Sequence, residues 1–141
     1  LHQQFIEIVK ENGITFNHYD AEKVHVPSAD KAVDETTNIK LMQKSFFVPD
    51  FRPQEQKDNL YVSCRVMKAI SYGCPVVADA PYVKDFIDKE VLCAETAREI
   101  FDLGVEHQYD KERSRHLWEV VKRDHTYMNR CNGLIEIING I

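Results

Sequence analysis

The stretch CRVMKAISYGCPVVADA, residues 64–80, constrains the fold more than any other part of the chain. Val66, Met67, Ala69 and Ile70 recur at helical spacing, Gly73 offers a stop, and the β-branched pair Val76-Val77 opens a buried strand. A helix that feeds directly into an apolar strand is half of a crossover unit, and the same alternation runs along the chain. Helix is predicted at 1–11, with Leu1, Phe5, Ile8 and Val9 on one face, and strand at 14–19 in ITFNHY. A polar crossover leads to a helix at 36–44 and a short strand in SFFVPD. After a polar loop, RPQEQKDN, the helix of the opening stretch begins behind Asp58 or Asn59, either a good N-cap. The strand PVVADA, a short helix near YVKDFID and an edge strand in EVLCA come next, followed by helices at 97–106, 111–124 and 127–139. Parallel strands need crossovers and helices provide them, so the expected class is α/β: a Rossmann-like, mostly parallel sheet with helices on both faces.

Such sheets take ligands outside the carboxyl ends of their strands, where helix N-termini also point. The loops after SFFVP and PVVAD and the start of the helix containing Arg65 lie at that edge. Arg65 and Lys68 stand on one stripe with Tyr61 and Tyr72. The helix dipole disfavours cations near its N-terminal end, so Arg65 there asks for an anion. Backbone N–H groups of the first turn, placed at 59–63, with the Ser63 hydroxyl, Arg65 and Lys68, suit a diphosphate. The alternative is that both cations pair with surface carboxylates of an acidic protein.

Composition closes off several classes. The formal net charge of −5 argues against bulk nucleic-acid or anionic-membrane binding. No run approaches the roughly 20 apolar residues of a membrane span, and LHQQFIEIVKENG is not expected to be a signal peptide. The expected setting is the cytoplasm. Cys64, Cys74, Cys93 and Cys131 have no metal-ligand or dithiol spacing and are expected to be buried, reduced thiols. No Ser/His/Asp order, metal cluster or glycine-rich phosphate motif is present, so no cofactor is expected. His18 and Tyr19 reach the ligand edge at the end of the first predicted strand, and His25 sits in the crossover. His107 and His116 lack ligand spacing, and His125 is expected to fix a helix joint. Leu117, Trp118 and Val121 are expected in the core, and Asp85 and Asp88 in a solvated short helix or near a sugar hydroxyl.

CRVMKAISYGCPVVADAPYVKDF, with NIKLMQKSFFVPDFR before it and HTYMNRCNGLI near the end, resembles the C-terminal donor-binding domain of GT-B glycosyltransferases. The similarity is to the group 1 and spore-maturation-type relatives and spans most of the chain from Asn38. The resemblance implies one nucleotide-sugar-binding domain over 1–141, shortened at its N-terminus, with terminal helices from about 111 packing across a two-domain body. It also implies a nucleotide diphosphate sugar as donor and an N-terminal acceptor domain as partner. Pro49, Asp50 and Arg52 match the loop near the nucleobase, while Ser63, Arg65 and Lys68 match the diphosphate side, with Arg65 and Lys68 in the catalytic role. The glutamate pair that many such enzymes carry maps onto Leu60 and Lys68, so neither carboxylate is present, and a cationic contact stands in for part of the ribose contact. The competing expectation is a non-catalytic module that binds a nucleotide or a protein partner.

Overall fold

A computed structural model describes residues 1–15 and 34–140. In chain order these form α1 (His2–Glu11), α2 (Glu35–Lys44), β1 (Val48–Asp50), α3 (Gln54–Asp58), α4 (Cys64–Ser71), β2 (Val76–Ala78), α5 (Tyr82–Phe86), β3 (Leu92–Cys93), α6 (Ala97–Glu106), α7 (Lys111–Asp124) and α8 (Tyr127–Asn139). The three strands are parallel in the order β1-β2-β3, with Val48 opposite Val76 and Val77 opposite Leu92. The architecture is therefore mixed α/β, as the alternation of helical and β-branched segments requires.

β2 decides how the layers stack. Side chains alternate across a strand, so Val77 enters one core while Val76 and Ala78 enter the other. On the Val77 side, α1 and α6 contribute Phe5, Val9, Ala97, Ile100 and Phe101. On the opposite side, α4 and α7 contribute Val66, Ala69, Ile70, Leu117, Val120 and Val121. Helices thus cover both faces, which is why all three residues of β2 are buried rather than alternately exposed. Gly104 lets α6 approach the sheet: a Cβ there would lie 2.5 Å from ring atoms of Phe47.

Several expectations are corrected. Ile14 and Thr15 are not in a strand, and the rest of the predicted strand at 14–19, with His18, Tyr19 and His25, lies outside the described residues. The loop RPQEQKDN contains α3, because a short run of good helix formers follows Pro53, which stands at the N-cap position. The following helix starts at Cys64, not behind Asp58 or Asn59. Leu60 at φ 52 breaks the path between α3 and α4, and Ser63 supplies the cap, its hydroxyl oxygen accepting from the Arg65 N–H at 2.9 Å. Trp118 is exposed, with the Lys122 ammonium 4.8 Å from its ring centroid, and Val120 takes the core position instead. Cys64 and Cys131 are exposed free thiols. Cys74 is buried and Cys93 partly so, and burial pushes their thiols up to about 12 and about 11.

The three C-terminal helices agree with their expected ranges. Thr96 and Glu99 form a capping box at α6, and Thr126 and Asn129 form another at α8. His125 does sit at a helix joint, between α7 and α8, with its ring 5.3 Å from that of Phe86. The apolar residues Tyr127, Leu134, Ile135 and Ile138 of α8 are all exposed. No described helix is long and apolar enough to cross a membrane.

Candidate functional site

The carboxyl ends of β1 and β2 bring together two buried carboxylates. Asp50 ends β1 at 1% exposure, and Asp79 follows β2 at 2%. They are linked through the backbone, the Asp79 N–H donating to the Asp50 carbonyl at 3.1 Å. Burying an ionised carboxylate is costly unless it is paired, and each has a cation. The Arg52 guanidinium grips both oxygens of Asp50, with Nε on Oδ2 at 2.8 Å and Nη2 on Oδ1. Lys57, from α3, places Nζ 3.0 Å from Asp79 Oδ2, and the Arg52 N–H donates to the same oxygen at 3.0 Å. Burial pushes the Asp50 carboxyl above its ordinary range, and the neighbouring Arg52 and Arg65 only partly offset this.

Tyrosines frame the cluster. Arg52 lies 5.6 Å from the Tyr61 ring centroid, and the Tyr82 hydroxyl donates to the Tyr61 carbonyl at 2.9 Å. This fastens the α3–α4 connection to α5 across the strand ends.

Beside the cluster lies a broad groove of about 1330 Å³, lined in part by Phe47, Pro49, Phe51, Arg52, Arg65, Lys68 and Asp79. Four of the six residues singled out in the sequence thus share one wall: Pro49, Arg52, Arg65 and Lys68. The other two are engaged elsewhere. Asp50 is closed into its ion pair rather than offered to a base, and Ser63 is buried as the α4 cap.

The two cations differ once the helix start is corrected. Arg65 sits in the first turn of α4, not two turns in, and Lys68 is in the last turn, where the dipole favours a positive charge. Arg65 is therefore the electrostatically anomalous one. Its guanidinium reaches Asp50 Oδ1 only at 3.9 Å and its side chain is 54% exposed. The carboxylate it leans toward is a buried one already held by Arg52, not a surface one. Lys68 is exposed and makes no ion pair with the described residues.

Sequence reasoning missed Asp79 and Lys57. A carboxylate directly after the middle strand, at the ligand edge, was the available signal for Asp79. Lys57 was hidden inside a segment expected to be loop. Asp88 accepts from the Glu90 N–H at 2.8 Å and lies 3.1 Å from His116 Nε2, so it serves the α5–β3 turn, while Asp85 is exposed. His107 pairs with Asp110 at 3.5 Å, away from the groove. No group of His, Cys, Asp and Glu among the described residues could hold a metal ion. Comparison of the chain with protein-family models, curated proteins and solved structures finds no match in any of the three.

Proposed function

We propose that the chain is the donor-binding part of a GT-B glycosyltransferase, with a Rossmann-like sheet whose groove receives the diphosphate of a nucleotide sugar. One observation carries the reading: Arg65, an exposed cation in the positive first turn of α4, opens onto the groove with Lys68, which makes no ion pair among the described residues, one turn away. A bound diphosphate would relieve that electrostatic conflict, with bidentate geometry available from the guanidinium. The apolar stretch of groove wall formed by Phe47 and Phe51 suits a flat base or sugar face.

In this reading the acceptor oxygen forms a bond to the anomeric carbon as the bond from that carbon to the diphosphate oxygen breaks. The leaving diphosphate keeps the electron pair, and Arg65 and Lys68 stabilise the charge it gains. The acceptor's proton passes to a base on an N-terminal acceptor domain, the partner in this reaction. The second reading, a non-catalytic nucleotide-binding module, is favoured by the engagement of Asp50 and Asp79 in ion pairs, which leaves neither as a ready base.

The test is calorimetric titration of the chain with UDP, GDP, dTDP and ADP beside the corresponding monophosphates. Selective binding of one diphosphate is expected. Binding of none, or equal binding of mono- and diphosphates, overturns the diphosphate site. Joining the chain to an acceptor domain and assaying sugar transfer then separates the transferase from the binding module.

A further inference from the structure

Asp79 is half used. Its Oδ2 accepts from the Arg52 N–H and from Lys57 Nζ, both at 3.0 Å, while its Oδ1 is buried and has no hydrogen-bond partner among the described residues. Buried carboxylate oxygens are rarely left so, because the lost hydration is not repaid. The donor groups nearby have other partners. Arg52 spends Nε and Nη2 on Asp50 and Nη1 on Gln56, and the Tyr82 hydroxyl serves the Tyr61 carbonyl. Asp79 also lines the groove, at the carboxyl end of the middle strand.

We infer that Asp79 Oδ1 accepts a hydrogen bond from a neutral hydroxyl of the molecule that occupies the groove, so that this ligand is an anion bearing hydroxyls rather than a bare phosphate. The inference rests on the reading of the groove as an anion site. A neutral donor is specified because Lys57 already balances the carboxylate's charge, so a second cation is not required. Oδ1 is buried in this structure, so the hydroxyl reaches it by a local displacement of the side chains that cover it. Arg65 and Lys68, in the same wall, take the anionic part of the same ligand.

Asp79→Asn discriminates the roles. Two donors converge on the Oδ2 position, so the amide oxygen settles there and the NH2 group occupies the Oδ1 position, presenting a donor where an acceptor stood. The probes are inorganic pyrophosphate, which has no neutral hydroxyl, and UDP-, GDP-, ADP- and dTDP-glucose. The wild-type chain is expected to bind at least one sugar nucleotide more tightly than pyrophosphate. D79N should weaken that sugar nucleotide about tenfold while leaving pyrophosphate binding unchanged or stronger. Equal weakening of both probes overturns the inference in favour of a packing role and leaves the anion site standing. Sugar nucleotides that bind the wild type no better than pyrophosphate overturn it in the same way. Binding of neither probe overturns this inference and the anion site together. Should D79N fail to fold, the wild type decides: the ¹³C carboxyl signal of Asp79 is expected to shift with the sugar nucleotide and not with pyrophosphate, and a signal that moves with neither contradicts the assignment.

Discussion

The two ends of the same sheet handle charge in opposite ways. At the amino end of β2, Asp110 pairs with Arg113 at 3.1 Å and with His107, and Arg113 also reaches Glu90 at 3.8 Å, all among half-exposed side chains around a cavity of only about 10 Å³. That network closes on itself and uses up its cations. At the carboxyl end the carboxylates are buried, their cations come from the connecting segments, and Arg65 and Lys68 remain toward a wide groove. Exposed pairs hold a helix start in place at little energetic consequence, whereas buried carboxylates fix the positions of basic groups that face outward. The proposed binding at the carboxyl end rests on that difference.

The sharpest way to break this comparison is Arg52→Ala. It leaves Asp50 buried without its main partner and should cost about 3–5 kcal/mol in urea denaturation. A loss no larger than that of an exposed pair would remove the distinction between the two ends. Gly104→Ala probes how tightly α6 is set under the strand that carries Asp50. The added methyl meets the Phe47 ring, and a cost of about 1–3 kcal/mol is expected in the same assay. Arg113→Ala, at the opposite end, should cost about 0.2–1 kcal/mol, as for a half-exposed pair.

Acid titration sharpens the contrast without mutation. Asp50 is raised by burial, so on acidification it takes up its proton above the ordinary carboxylate range, and the folded state binds more protons than the unfolded chain in that window. Asp50 therefore works against stability as pH rises through it. Asp110 is lowered, chiefly by the Arg113 N–H, so its contribution is present above its unfolded value near 3.8 and is lost as pH falls through the folded one. ¹³C carboxyl titration should show Asp50 protonating before Asp110 as pH falls, and the reverse order would contradict the burial account.

Much of the architecture was legible in local signals. Helical periodicity and the β-branched run at Val76 and Val77 point the same way, and α6, α7 and α8 fall where periodicity puts them. The start of α4 was not legible. Asp58 and Asn59 are as good caps as Ser63, and what excludes them is the left-handed turn at Leu60, which no local preference announces. The groove wall was half legible. Arg65 and Lys68 stood out because cations on a packed helix are conspicuous. Asp79 did not, because its pairing with Lys57 joins residues from separate elements. Trp118 was misplaced by periodicity, since it and Val120 flank the Leu117–Val121 stripe on opposite sides and only the Val120 side is buried.

The central claim is that Arg65 and Lys68 face outward to hold a diphosphate. Its most direct test is calorimetric titration of the wild type, Arg65→Ala and Lys68→Ala with the diphosphate that the chain selects. Loss of a charge-assisted phosphate contact should weaken binding by about 1.5–3 kcal/mol, roughly tenfold or more, in each variant. Affinity indifferent to both substitutions would contradict the account, returning Arg65 to a partner of Asp50 and Lys68 to a complement of the helix dipole.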